Sequence, residues 1–237
     1  MTQSDRQGIA WRPLAVAFDV NETLFSMDSV RRRLDEMGFP ALALELWFAR
    51  TLRDGIALAA AGGTDRFASI AVDALLSVMV AAGREPDRTL AEQAVAAMEE
   101  MEPHPDVARC FEALRDGGIR VSTLTNGSGV MTERLLERAG LRHLVERCMS
   151  VQDAGRWKPS AEPYLYAAAQ LGVEAERLAL VAVHAWDLCG AKAAGLLTGW
   201  AARLEGTFAE RFGRPEVSGA DLVEVAYGLL ALPEPPA

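Results

Sequence analysis

The sequence predicts an α/β fold: a parallel sheet covered by helices, with a block of helices inserted after the first strand. Two observations carry this. Apolar runs of strand length alternate with helical patterns over much of the chain, and the interval from residue 27 to 102 is helical almost throughout. With 237 residues, half of them hydrophobic, the chain can bury a sizeable core and still carry an insertion.

The strand candidates are LAVAFDV (14–20), RVSTLTN (120–126), RCMSV (147–151) and LALVAVH (178–184), with TGWAAR (198–203) as a candidate fifth. Their near-continuous apolar character fits strands covered on both faces. Between them, VARCFEALRDGG (107–118), VMTERLLERAG (130–140) and EPYLYAAAQLG (162–172) read as helices, each closing on glycine. Such alternation implies right-handed crossovers and parallel neighbours. The insertion reads as four helical segments, SVRRRLDEMG (29–38), ALALELWFARTLRDGIALAAAG (41–62), DRFASIAVDALLSVMVAAG (65–83) and TLAEQAVAAMEE (89–100). MEPHPD (101–106) is the return linker, because residues preceding proline avoid helix. The predicted division is therefore a core of residues 1–26 and 103–237 and a helical insertion of residues 27–102.

A formal net charge of −9 argues against nucleic acid as a partner, although a few placed cations can hold one small anion in an acidic protein. There is no apolar stretch of membrane-spanning length, and the N-terminal residues lack the basic start and long apolar segment of a signal peptide. The three cysteines, Cys110, Cys148 and Cys189, are widely spaced and suit a reducing cytoplasm. The C-terminal PEPPA reads as a frayed tail.

In an open parallel sheet, ligands bind beyond the carboxyl ends of the strands. The polar residues predicted there are Asp19 with Thr23, Thr125 with Asn126, Lys158 in GRWKPS, and His184 with Trp186 and Asp187. Singly, each also reads as a turn residue, a helix cap, a solvated charge or a helix-dipole partner. Their convergence from four distant segments points to a site.

These motifs resemble the haloacid dehalogenase superfamily, and within it the type II L-2-haloacid dehalogenases. FDVNETLF is similar to their FDxYGTLF, TLTNGS to LSNGS, WKPSAEPY to YKPxxxxY, and HAWDLCGAKAAG to NAWDxxGAxxxG. The resemblance covers nearly the whole chain and implies a Rossmann-like parallel-sheet core with an inserted helical cap domain. It also implies a homodimer and Asp19 as covalent nucleophile. Lys158 would keep Asp19 ionised, and Asp187 would position and activate water. Thr23, Thr125 and Asn126 would hydrogen-bond the nucleophile, the substrate carboxylate or an oxyanion. Tyr164 would order the lysine or the pocket wall.

A phosphatase of this superfamily usually carries a second aspartate two positions after the nucleophile, where this chain has Asn21, an amide that cannot act as a general acid. Asp187 stands alone after the fourth strand, which leaves a poor magnesium site. Glu22 could substitute, but extended geometry would point it away from Asp19. A carbon–halogen bond needs neither device, since halide leaves without protonation. The expectation is a 2-haloacid dehalogenase acting on a small anionic 2-haloacid, with no cofactor and no metal. A magnesium-dependent phosphatase and a non-catalytic binding member remain the alternatives.

Three departures bear on the substrate. The family's arginine after a Leu-Trp pair is replaced by Phe48, with Arg50 and Arg53 the nearby candidates for its role or else solvated. Asn21-Glu22 replaces a tyrosine-glycine pair, altering one pocket wall. His184 and Ala182 stand where asparagine and serine are common. His184 reads as a general base, a donor to halide or carboxylate, or a structural histidine. Trp47 and Phe48 either line an apolar pocket or pack the cap, and Trp186 either contacts halide or packs.

Overall fold

The structure is a computed structural model that describes residues 10–236. The first nine residues, which belong to the stretch read above for a signal peptide, and Ala237 of the tail lie outside the described residues. In chain order the elements run β1 (Ala15–Phe18), β2 (Phe25–Ser26), α1 (Asp28–Glu36), α2 (Ala43–Ala60), α3 (Phe67–Ala81), α4 (Arg88–Ala96), β3 (Glu102–Pro103), α5 (Val107–Asp116) and β4 (Arg120–Thr125). They continue as α6 (Gly129–Arg138), β5 (Cys148–Ser150), α7 (Val151–Ala154), α8 (Ala161–Leu171), β6 (Leu178–Ala182), α9 (Ala185–Ala193), β7 (Leu197–Ala201), β8 (Val217–Gly219) and α10 (Leu222–Leu230).

Six strands form one parallel sheet in the order β5-β4-β1-β6-β7-β8. The period-2 alternation of a strand sorts its side chains to two faces. Val16, Phe18 and Val181 enter one apolar cluster with Phe111 of α5 and Val225 of α10. Ala15, Ala17 and Leu180 enter a second with Tyr164 of α8 and Leu188 of α9. Both faces are thus buried, which is why these strands read as apolar runs. The edge strand β8 was not foreseen: three residues, VSG, with an exposed Ser218, carry no such run. At the start of the tail, Pro233 O accepts from Arg12 N at 2.8 Å.

Helices α1–α4 follow β1, and the antiparallel pairing of Phe25 with Pro103 and Ser26 with Glu102 joins the outgoing and returning segments. The helical layer is anchored to the loop before Lys158. Trp157 stacks on Phe67 at 5.9 Å between centroids, donates from Nε1 to Asp65 O at 2.8 Å, and sits against Gly55. Arg156 Nη1 donates to Ala59 O at 3.0 Å. Among the described residues no helix is long and apolar enough to cross a membrane.

A Cβ at Gly55 would lie 2.2 Å from the Trp157 ring, which is fully buried. Gly55→Ala is therefore expected to destabilise the protein by about 1–3 kcal/mol through overpacking. Urea unfolding measures it, and an unchanged midpoint would mean that Trp157 is free to move.

Candidate active site

β1 and β6 are neighbours, so their carboxyl ends bring Asp19 and the β6–α9 turn together. Asp19 N donates to Val181 O at 3.0 Å. The chain then turns sharply. Thr23 Oγ1 donates to Asp19 Oδ2 at 2.9 Å and accepts from Val183 N at 3.2 Å. Asp187 lies in the first turn of α9, and His184 is the N-cap residue between β6 and that helix.

Lys158 Nζ lies between two carboxylates, 3.2 Å from Asp19 Oδ1 and 2.8 Å from Asp187 Oδ2. Its side chain and that of Asp187 are wholly inaccessible to solvent. Asn126 Oδ1 accepts from Lys158 N at 3.0 Å, so the end of β4 holds the lysine's backbone. Tyr164 OH donates to Asp187 Oδ1 at 2.6 Å and fixes the remaining carboxylate oxygen. Thr125 Oγ1 accepts from Gly127 N at 2.9 Å, and Ser128 caps α6 by accepting from Met131 N at 3.3 Å.

Burial alone would raise the Asp19 pKa, but the Lys158 ammonium, with His184 and Thr23, outweighs it and holds the carboxyl well below the usual range. Desolvation would lower Lys158, yet Asp187 and Asp19 keep it above its ordinary value. Asp187 is raised, by burial first and also by the Asp19 charge. Tyr164 is raised by burial and by Asp187, so its hydroxyl is a donor throughout the physiological range.

Glu22 departs from the extended geometry that would have turned it away. Its φ of 62° lies in the left-handed region, which a side chain other than glycine occupies at roughly 1–2 kcal/mol. That turn carries Glu22 Oε2 to 2.9 Å from His184 Nε2. His184 Nδ1 lies 3.4 Å from Asp19 Oδ2 without completing a hydrogen bond to it. Burial opposes the imidazolium, but Asp19 and Glu22 prevail and His184 is pushed up to about 10. Its ring lies 5.8 Å from Phe48 and 5.8 Å from Trp186. Asn21 Oδ1 and Trp186 Nε1 are buried without partners.

The structure therefore brings Asp19, Thr23, Lys158, His184, Asp187 and Tyr164 into one hydrogen-bonded or ion-paired group, with Asn126 beneath it and Phe48 and Trp186 against His184. Arg50, Arg53 and Trp47 stay outside it. Arg50 Nη1 donates to Ser77 Oγ on α3 at 2.7 Å instead of joining the group, because two helical positions past Phe48 rotate it by about 200°. Arg53 pairs with Asp54. Trp47 packs inside the helical layer, fully buried, with Nε1 donating to Ala71 O at 2.7 Å. Glu22 is the residue that sequence reasoning set aside. Its signal was the coincidence of two departures, a carboxylate in the first motif and a histidine in the last. A cavity of about 450 Å³ between α3, α4 and α6 borders Gly127 and Ser128, but Asp19 is not part of its lining.

The arrangement provides an ionised, buried carboxylate oriented by an ammonium, with an amide in the position two residues on. A protein-family model described as haloacid dehalogenase-like hydrolase matches residues 13–195. The chain belongs to that family. Among the relatives of this haloacid dehalogenase-like hydrolase, (S)-2-haloacid dehalogenase 4A of Burkholderia cepacia is 31% identical over 186 residues, 78% of this chain and 80% of that protein. The crystal structure of an L-2-haloacid dehalogenase, 25% identical, superposes with a TM-score of 0.85 and covers 92% of this chain and 98% of the other. A dehalogenase crystallised as an intermediate complex, 28% identical, gives a TM-score of 0.82 over 92% of this chain and 96% of that one.

Lys158→Met would leave Asp19 and Asp187 buried without their cation, a loss of about 3–5 kcal/mol at neutral pH. The lowered Asp19 pKa stabilises the native protein above the unfolded value, about 4, and this contribution is lost as pH falls below it. In the variant, burial dominates and the carboxyl pKa rises, so the sign inverts and stability increases on acidification towards pH 5. Urea midpoints across pH 5–8 check this; a variant as stable as the parent at pH 8 would contradict it.

Proposed function

We propose that this hydrolase cleaves the carbon–halogen bond of small 2-haloalkanoates through a covalent ester on Asp19. The observation that carries the reading is the Asp19–Lys158 pair, a buried carboxylate kept ionised at 3.2 Å from an ammonium, followed by Asn21 where acid catalysis would need a carboxyl group. Asp19 attacks C2 in line, the carbon–halogen bond breaks, and halide departs with the bonding pair. Water then adds to the ester carbonyl of Asp19, the ester C–O bond breaks, and a 2-hydroxy acid leaves. Asp187, whose proton affinity burial raises, takes one proton from the attacking water and passes it to the departing alkoxide oxygen, and the second water proton is released from the regenerated Asp19 carboxyl group to give back the carboxylate. Tyr164 orients Asp187, while Thr23 and Asn126 hold the nucleophile and the lysine in register. Helices α1–α4 serve as the cap that excludes bulk water, anchored through Trp157. Exposed Leu42, just before α2, and Leu46 in its first turn favour a homodimer, and three free cysteines suit a reducing cytoplasm.

The test is halide release from each enantiomer of 2-chloropropionate with excess chelator throughout. Chelator-resistant, stereoselective release is expected, and Asp19→Asn should lower it by at least about 10⁴-fold. One turnover in ¹⁸O-water should place label in the Asp19 carboxylate. Activity abolished by the chelator, together with magnesium-dependent hydrolysis of phosphate esters, would replace this reading with a phosphatase.

A further inference from the structure

An anionic substrate that approaches Asp19 meets a group already rich in carboxylates: Asp19, Asp187 and Glu22 against Lys158 and His184. Lys158 is shared between two of those carboxylates and buried beneath them. Arg50 and Arg53 are engaged elsewhere on the helical layer. Among the described residues ringing Asp19, the cation with a nitrogen not yet hydrogen-bonded is His184, 5% exposed, with Nδ1 directed at the nucleophile from 3.4 Å.

We propose that Glu22 and His184 together form the receptor for the substrate's carboxylate, Glu22 holding the ring charged and oriented through Nε2 while Nδ1–H binds the anion beside Asp19. The inference rests on the haloacid reading above. In-line displacement places C2 about 3 Å from the attacking oxygen and the halide farther along the same line. A donor flanking the Asp19 carboxylate therefore meets the group that flanks the attack line, which in a 2-haloacid is the carboxylate. Phe48 and Trp186 cover the ring and exclude water, which strengthens the ion pair. The left-handed backbone at Glu22 is maintained to deliver its carboxylate to His184, an outlier of the kind found at ligand-binding positions.

Binding of unreactive propionate and of its neutral isostere propionamide, measured by calorimetry, separates anion recognition from chemistry. The parent protein is expected to bind propionate at least tenfold more tightly, and His184→Asn and His184→Gln should reduce that preference to less than about twofold. The charged groups facing His184 are Asp19, Glu22 and, through Asp19, Lys158, with Glu205 at the neighbouring Ala185 N–H. Because Asp19 and Glu22 together raise the imidazole's proton affinity, propionate binding should weaken as pH rises towards 10, and at lower pH in Glu22→Gln. That variant carries the test if the His184 substitutions do not fold. No preference for propionate in the parent, or a preference intact in His184→Asn, overturns the proposal. Halide release alongside such an intact preference would leave the dehalogenase reading standing without the receptor. A His184-dependent preference with no halide release would retain the receptor and dismiss the reaction.

Discussion

The site depends on one buried ammonium. Lys158 joins two carboxylates that come from segments far apart in sequence, at 3.2 and 2.8 Å, in an interior from which water is excluded. Desolvating three ionic groups opposes folding, and their mutual attraction compensates only when geometry and supporting hydrogen bonds are good. Here they are good: Thr23 holds Asp19, Tyr164 holds Asp187, and Asn126 holds the lysine backbone. A consequence for chemistry follows. A carboxylate that would gain a proton on burial stays ionised, and so remains available as a nucleophile.

The sheet explains how these groups meet. Asp19 and Asp187 follow adjacent strands, β1 and β6, and Asn126 follows β4 on the other side of β1. The lysine loop, by contrast, is positioned from the helical layer, through Trp157 against Gly55, Asp65 and Phe67. The same helical layer places Phe48 against His184. Packing in the inserted helices is thus mechanically linked to the two cations of the site, and a change in how α2 and α3 sit would reach Lys158 and His184 together.

Much of this was legible in the sequence. Strands buried on both faces declare themselves as apolar runs, and Asp19, Lys158 and Asp187, with Thr125 and Asn126, announced a site because they converge from four distant segments beyond the strand ends. The rest was hidden for physical reasons. β8 is too short and too exposed at Ser218 to carry an apolar pattern. Arg50 seemed near enough to replace a missing arginine, but helical rotation carries it to Ser77. Glu22 was set aside on the assumption of extended backbone, whereas a left-handed residue reverses where a side chain points. Neither the rotation of a helix about its axis nor a single unusual φ has a signature in composition or periodicity.

Glu22 also shows why charge must be counted locally. The chain carries a net charge of −9, and two further carboxylates, Asp187 and Glu22, share the group with Asp19, which would repel any anionic ligand if nothing else were charged. A carboxylate such as Glu22 looks counterproductive there, yet placed on the far nitrogen of the imidazole it joins Asp19 in keeping the ring cationic on the side that faces Asp19. The added negative charge sits on the ring's far side, and the positive charge it supports sits near Asp19. Because Coulomb energy falls with distance and is strongest where water is excluded, the nearer charge dominates at Asp19. An acidic residue can in this way make a site more receptive to an anion.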